Sequence, residues 1–577
     1  MEFLKPSQIQ HTKHLINILL DSPFACDFSV MGAGKTYVAN AIGIELGLPL
    51  FVLGQRGSLN KWESTGNEMD QKLGRQAEPN VKVTLTYDSL RSVKNHQPKN
   101  GYLTRYDFAD APTEFVVTDT FIQLVESGII LVVDECQKIK NNGDQTRAVR
   151  ALINEIVKSE GYSRILFLSG TPFEKDELAI NFFHTIGFCS DTNLVTEKKK
   201  NKSELNQELF EELLHNLRSC YGIVGNRDPY QIIKELDLSS YQEEAIADLR
   251  VMRDQRRINE ENLTEIIPRL EAIRNEIDIS ELIRVLKNFR QRICLDRIRN
   301  NPNYRNINTK NINKFLFELF TEIIVPFFSS AMSSPVMDFK KDVGNGYFVF
   351  KGPDAEEKIR ELSLSIQDLQ KASAYDSEQY GHRIDFGKIT LALERIEQAK
   401  IPLFVRIVKE ELSKGEKNKV IIFVNYHKTI DSLCQELEEY EPLVYDGRLT
   451  NRKQENDVIE AFNNGGKRLL IANLKKGGVS ISLHDTKGDE PRTSFISPNY
   501  SILDMHQASG RTYRENTKSD VVIRVVYGQI PGENESKKEQ KILNSLARKT
   551  GNLKQILKVQ AAEGVLFPGE YPEYTNL

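Results

Sequence analysis

The stretch Ser29-Val-Met-Gly-Ala-Gly-Lys-Thr36 limits what this chain can fold into more than any other. It follows an apolar approach at 24–28 and precedes a helical pattern at 37–46. Gly32 and Gly34 let the backbone wrap an anion without Cβ clashes, and successive amides at a helix N-terminus then face that anion. Lys35 is spaced to reach the β- and γ-phosphates of a nucleotide, and Thr36 to offer its hydroxyl to Mg2+. A loop of this kind needs a strand before it and a helix after it, which predicts an α/β domain. The apolar runs at 50–53, 82–85, 129–133 and 165–168 agree. They read as strands buried on both faces and separated by helical patterns, hence as a parallel sheet.

Three further segments carry chemistry. Asp134-Glu-Cys-Gln137 directly follows the apolar run 129–133. A carboxylate at the end of a buried strand is costly unless a cation or a hydrogen-bond network meets it. Asp134 is expected to hold Mg2+ and Glu135 to orient and deprotonate an attacking water, with Gln137 beside them. Taken alone, the same acidic pair would suit a helix N-cap. Leu168-Ser-Gly-Thr-Pro172 ends another apolar run, and Ser169 and Thr171 read as a hydroxyl relay from the γ-phosphate toward a second domain. In Gln507-Ala-Ser-Gly-Arg-Thr-Tyr-Arg514, two arginines three residues apart share a helix face and can both meet a polyphosphate. An arginine supplied across a cleft stabilises the charge of phosphoryl transfer.

The 577 residues predict two or three domains. Residues 1–195 form the first, and 386–577 repeat its texture, with apolar runs at 420–424, 443–445, 468–472, 494–496 and 521–526. Between them, 196–385 is charged and reads as a mostly helical insertion, with apolar residues from Ile246 to Ile273 at three- and four-residue spacing and a break at Pro268. The cluster Lys198-Lys-Lys200 with Lys202 reads as a solvated linker, with a phosphate contact as the alternative, and 329–353, rich in Ser, Gly and Pro, as a loop. The apolar stretch 315–332 carries Glu318, Glu322 and Pro326, so it reads as a buried or docking helix and not as a membrane span. The six cysteines form no Cys-x-x-Cys pair, which argues against a zinc ribbon and suits a reducing compartment. The net charge of −4 means that any nucleic-acid surface is local. The N-terminus lacks a basic start and apolar block, so an intracellular, non-secreted protein is expected.

In this order the four chemical segments resemble motifs I, II, III and VI of superfamily-two helicases, and the small-x-x-Gly-x-Gly-Lys-Thr spacing with Ser29 first is similar to the helicase form of the phosphate loop. Leu4-Lys-Pro-Ser-Gln8 resembles the adenine-sensing element, with Gln8 as reader. Leu59-Asn-Lys-Trp-Glu63 is similar to motif Ia, Thr86-Tyr-Asp-Ser-Leu90 to the next strand-end motif, 421–425 to motif IV, and Gly477-Gly-Val-Ser-Ile-Ser-Leu483 to motif V. Three more elements look like the Swi/Snf-type branch of double-stranded-DNA translocases and its relatives in large DNA viruses: Leu236-Asp-Leu-Ser-Ser-Tyr-Gln242, Leu286-Lys-Asn-Phe-Arg-Gln-Arg-Ile-Cys294 and Gly387-Lys388. The tail at 539–549 resembles the helix that closes the second domain. Departures are Gln137 where remodellers carry His, Ser482 where motif V usually has Asn, and Glu-Asn-Thr-Lys after Arg514. They argue against a nucleosome substrate and for a small stand-alone motor.

The resemblance implies two RecA-like parallel-sheet domains around one ATP·Mg2+ site. Gln8, Gly32, Gly34, Lys35, Thr36, Asp134 and Gln507 would bind nucleotide, with Thr36 and Asp134 on Mg2+. Glu135, Gln137, Arg511 and Arg514 would be catalytic. Thr86, Ser89, Ser169, Thr171, Gly477, Gly478 and Ser480 would contact nucleic acid or couple it to the nucleotide. DNA is the expected partner, with an RNA-directed helicase as the first alternative. The second alternative is a nucleotide-gated assembly factor that does not translocate. The insertion is expected to set the footprint or dock a protein partner, in host cytoplasm, nucleus or virion if the source is viral. Motif sequences do not specify oligomeric state.

Overall fold

A computed structural model describes residues 4–74, 79–91, 93–94, 97–98, 101–109, 111–159, 161–170, 172–198, 202–219, 307–332, 339–374, 386–478, 481–514, 516–530, 549–551, 566–575 and 577. Helix α1 (Pro6–Asp21) leads into strand β1 (Phe24–Asp27), helix α2 (Lys35–Leu46), strand β2 (Leu50–Gly54), helix α3 (Arg56–Lys72) and strand β3 (Val81–Thr86). Strands β4 (Ile130–Asp134) and β5 (Arg164–Leu168) follow, and the short β6 (Ser329–Ser330) completes the sheet. All neighbours are parallel, in the order β6-β1-β5-β4-β2-β3. This order sets the carboxyl ends of β1, β5 and β4 side by side, so three loops distant in sequence open on one edge. The apolar runs are the strands, and the approach before the glycine loop is β1. β3 departs from expectation: it is only half-buried, because as an edge strand it has a neighbour on one side.

The second sheet is also parallel, in the order β9-β10-β8-β11-β12-β7-β13. Its strands are β7 (Lys341–Val349), β8 (Lys419–Val424), β9 (Leu443–Tyr445), β10 (Leu469–Asn473), β11 (Arg492–Ile496), β12 (Val521–Gln529) and β13 (Glu573–Tyr574). The stretch 329–353, expected as a loop, therefore supplies one strand to each sheet. Its glycines mark close approach, not a turn. A Cβ on Gly344 would lie 2.2 Å from the Tyr574 ring and 2.8 Å from the Pro572 carbonyl, and one on Gly346 would lie 2.6 Å from Phe348. Likewise the lysine cluster expected as a linker is flanked by a hairpin, Val195–Lys198 against Lys202–Leu205.

Both ends of the charged middle stretch thus belong to the sheets. Helix α4 (Ile312–Leu319) continues through a π-turn at Phe320–Ile324 and a last turn at Val325–Phe328, and this is the expected buried helix. Its rings interlock with the first sheet: Phe328 stacks on Phe24 at 4.9 Å and Phe320 meets Phe173 at 4.6 Å. On the other side, helix α5 (Ala355–Ala374) packs with helix α6 (Phe386–Ala399), which holds Gly387 and Lys388, beneath the second sheet. The helical pattern from Ile246 to Ile273 and the segments 236–242, 286–294 and 539–548 lie outside the described residues. Among the described residues no helix is long and apolar enough to cross a membrane.

Replacing Gly344 by valine should destabilise the second sheet by at least ~2 kcal/mol, since the neighbours are a ring and a backbone carbonyl. Thermal unfolding checks this, and an unchanged midpoint would contradict the packing.

Candidate nucleotide site between the two sheets

The loop after β1 is built as its glycines require. Gly32 and Gly34 have φ of 83° and 92°, a left-handed region open to glycine at little cost. Gly34 also leaves room for Gln8: a Cβ there would lie 2.3 Å from the Gln8 amide nitrogen, which donates to the Ala33 carbonyl at 3.1 Å. The backbone amide of Lys5 donates to Gln8 Oε1 at 3.0 Å. Helix α2 starts at Lys35, so its first free amides and Thr36 face the loop. Lys35 Nζ donates to the carbonyls of Ser29 at 2.8 Å and Val30 at 3.2 Å.

Asp134 ends β4, buried beside this loop. The indole N–H of Trp62, from α3, donates to its Oδ2 at 3.0 Å, and the Tyr87 hydroxyl donates to its backbone carbonyl at 2.6 Å. Burial, then the neighbouring Glu135, push the Asp134 carboxyl up to about 6. Glu135 itself has φ 56°, a left-handed conformation that costs a non-glycine residue about 1–2 kcal/mol. That turn aims its carboxylate across the cleft. Gln137 Nε2 donates to Glu135 Oε2 at 2.6 Å, the Ser169 hydroxyl donates to Gln137 Oε1 at 2.6 Å, and Gln507 Nε2, from the second sheet's side, donates to the same Glu135 oxygen at 3.2 Å. Four expected site residues form one chain from the end of β5 across the cleft.

Helix α7 (Ile502–Ser509) carries Gln507 and ends just before the two arginines. Arg511 is buried, donates to the carbonyls of Gln507 at 2.9 Å and Ile481 at 3.3 Å, and touches Met31 Sδ of the glycine loop at 3.5 Å. Arg514 donates to Gly510 O at 3.0 Å and Ser482 Oγ at 2.8 Å, and its Cβ would lie 3.8 Å from a Cβ on Gly32. Ser482, the residue that departs from the usual Asn, thus holds the arginine. Among the described residues Lys35, Arg511 and Arg514 are in no ion pair; neutral acceptors hold all three. Burial brings the Arg511 guanidinium down to about 10, and burial, then Arg511, lower Arg514 well below its usual value. Lys61, solvent-exposed but walled by protein, is pushed down to about 8 by burial, then by Arg514.

Beside this site a cleft of about 720 Å³ separates the sheets, lined by Arg56, Thr86, Lys138, Lys140, Lys475 and Ser501 among others. Thr86 faces it and caps the turn that follows: its hydroxyl accepts the Ser89 amide at 3.0 Å and lies 2.7 Å from the Ser89 hydroxyl. Gly477 and Gly478 do not line it. A Cβ on Gly477 would lie 2.7 Å from Ala472, and one on Gly478 2.5 Å from the Leu474 carbonyl, so these glycines allow close packing under the turn. The Gly478 amide is already bonded to Leu474 O at 2.9 Å. Thr171 and Ser480 lie outside the described residues. Sequence reasoning did not select Lys61, Trp62, Tyr87 or Met31 as site residues. The single tryptophan of the chain, next to a motif strand, was the available signal for Trp62.

Residues 403–516, which include Gln507, Arg511 and Arg514, match a family described as the helicase conserved C-terminal domain. Over these residues the chain is similar to the C-terminal domain of helicases. A protein of Acanthamoeba polyphaga mimivirus, whose name describes an ATP-dependent RNA helicase, is 30% identical over 203 residues, 35% of this chain and 36% of that protein. The chain thus aligns with about a third of the length of this curated relative. Among solved structures, the Sulfolobus solfataricus SWI2/SNF2 ATPase core in complex with dsDNA is 14% identical, with 96% of each chain covered and a TM-score of 0.26. The Pyrococcus furiosus Hef helicase domain is 12% identical, with 92% of this chain and 98% of that chain covered and a TM-score of 0.34.

For the protein free of nucleotide and metal, the raised Asp134 pKa has a defined sign. The folded value of about 6 exceeds the roughly 3.9 of an unfolded aspartate, so this group favours folding below pH 4 and the contribution is lost as pH rises through 6. Asp134→Asn, which keeps an acceptor for Trp62, should raise the melting temperature relative to wild type by an amount that grows from pH 5 to pH 8. A difference independent of pH would contradict the burial of this charge.

Proposed function

We propose that this protein is a helicase-type motor that hydrolyses ATP between its two sheets and converts closure and opening of the cleft into movement along double-stranded DNA. The observation that carries the reading is the convergence of Lys35, Arg511 and Arg514 from opposite domains on one glycine loop, with none of them in an ion pair among the described residues. Cations that are buried or half-buried and held by neutral acceptors suit a polyanion. In this reading the loop amides and Lys35 cradle the phosphates, and Gln8 reads the adenine. Thr36 and Asp134 would be the hard oxygen donors for Mg2+, and the raised Asp134 pKa reflects burial and then the neighbouring Glu135, both of which a cation would offset. Bound there, Mg2+ would neutralise charge on the β- and γ-phosphates.

Glu135 then accepts a proton from the attacking water, with Gln137 orienting its carboxylate. Arg511 and Arg514 exchange carbonyl and hydroxyl partners for phosphate oxygens as the cleft closes. The Ser169–Gln137–Glu135–Gln507 chain passes the state of the γ-phosphate to the second domain. Nucleic acid follows the neighbouring cleft, where Thr86, Arg56 and Lys475 meet its backbone. Likeness to a mimivirus protein favours transcription or genome handling in a large DNA virus, and the name of that relative makes RNA the second reading.

Lys35→Ala should lower ATP turnover at least about 100-fold with the circular dichroism spectrum unchanged. Equal turnover in variant and wild type would overturn the proposal. Turnover of the wild type should rise with duplex DNA above single strands and RNA; greatest stimulation by RNA would transfer the activity to that substrate, and vigorous turnover without triplex displacement would indicate a nucleotide-gated assembly factor. Ser169→Ala breaks the chain at its first bond and should reduce nucleic-acid-stimulated turnover by about tenfold, the scale of one lost hydrogen bond, while basal turnover changes less.

A further inference from the structure

Behind the glycine loop lies a buried polar cluster that the proposed chemistry does not use. His11, on the face of α1 one turn after Gln8, has its Nδ1 2.8 Å from Ser330 Oγ. Its Nε2 is 3.2 Å from Asp27 Oδ1 and 3.3 Å from Ser29 Oγ. Asp27 is fully buried at the end of β1, accepts the Ser29 amide at 2.9 Å, and leaves Oδ2 without a partner. Burial would raise the Asp27 carboxyl, yet His11, Lys35 and Ser29 hold it below its usual range, so it is an ionised acceptor. A carboxylate can only accept, so His11 Nε2 carries the proton that bonds to Asp27.

The strand on the far side of this cluster returns to the first sheet after the long middle stretch. The Phe28 amide donates to Ser330 O at 2.8 Å, the Val30 amide to Met332 O at 3.2 Å, and the Met332 amide to Ser29 Oγ at 2.8 Å. Ser29 O in turn receives Lys35 Nζ. The first residues of the phosphate loop are therefore gripped from both sides, by α1 through His11 and by the returning strand through Ser330 and Met332. Half-satisfied buried networks are costly, and a buried carboxylate with one free oxygen is a poor choice for stability alone.

We infer that His11 is a positioning residue of the nucleotide site, joining the adenine-reading helix, the phosphate loop and the returning strand 329–332 through a buried Asp27–His11–Ser330 relay. The inference rests on the nucleotide-binding reading above. The relay makes the strand that follows the middle stretch part of the nucleotide site: a shift of Ser330 moves His11, and with it both Gln8 and the loop carbonyl that holds Lys35.

The test uses the full chain with His11→Phe, Ser330→Ala, the double variant and Ser330→Thr. Affinity for mant-ADP with Mg2+ is measured alongside KM and kcat for ATP and thermal unfolding. His11→Phe and Ser330→Ala should each weaken mant-ADP binding and raise KM by about tenfold, the scale of one buried hydrogen bond, with kcat within about twofold of wild type. The double variant should be no worse than the weaker single, since both cut one relay, and Ser330→Thr should restore wild-type affinity. Additive losses, or unchanged affinity in folded variants, would overturn the relay. Should the wild type turn over ATP no faster than Lys35→Ala, the hydrolysis reading fails, while the mant-ADP affinities still decide the relay.

Discussion

Cations from the two sheets crowd one loop, Lys35, Arg511 and Arg514 being in no ion pair among the described residues, and much of the molecule serves to hold them there. In water such a cluster would be trivial; here burial pulls Arg511, Arg514 and Lys61 toward their neutral forms, and repulsion from Arg511 on Arg514, and from Arg514 on Lys61, adds to it. Backbone carbonyls and the Ser482 hydroxyl satisfy their hydrogen bonds without cancelling their charge. An arrangement of that kind is poised for an anion that both domains can share, and closure becomes contingent on its presence. Its geometry needs small residues on both sides: a Cβ on Gly510 would lie 2.9 Å from Met31, and one on Gly170 3.3 Å from the Ser29 carbonyl.

The acidic side of the cleft is arranged to oppose these cations without collapsing onto them. Trp62 occupies one oxygen of Asp134, and two side-chain amides, one from each domain, occupy one oxygen of Glu135. The left-handed turn at Glu135 is the conformation that lets adjacent carboxylates serve different partners, one facing the glycine loop and the other the second sheet. Parallel topology makes this possible, because it brings the ends of β1, β4 and β5 together before any side chain is considered.

Much of this was legible in the residues. The apolar runs became the strands, since a strand covered on both faces has to be continuously apolar, and the glycine loop, the acidic pair, Ser169 and the two arginines meet in one place. Legibility failed where local composition had a second cause. Gly344 and Gly346 look like loop residues but make space for Tyr574 and Phe348, and the lysine cluster near 198 is flanked by a hairpin. Gly477 and Gly478 looked like phosphate contacts and serve close packing. Arg56, which donates to the Thr450 carbonyl across the domains at 2.9 Å, carries no local mark of that role.

What the residues alone determined was the chemistry of each segment and the fold type, because phosphate loops, strand-end carboxylates and hydrophobic periodicity depend on neighbours a few positions apart. The tertiary structure decided which segments share a site and which strands share a sheet: that Gln507 reaches Glu135, that Trp62 holds Asp134, and that the chain at 329–332 returns to grip the phosphate loop. Those partners are separated by 70 to more than 300 positions. Their contacts arise from strand order and packing, which no local pattern encodes.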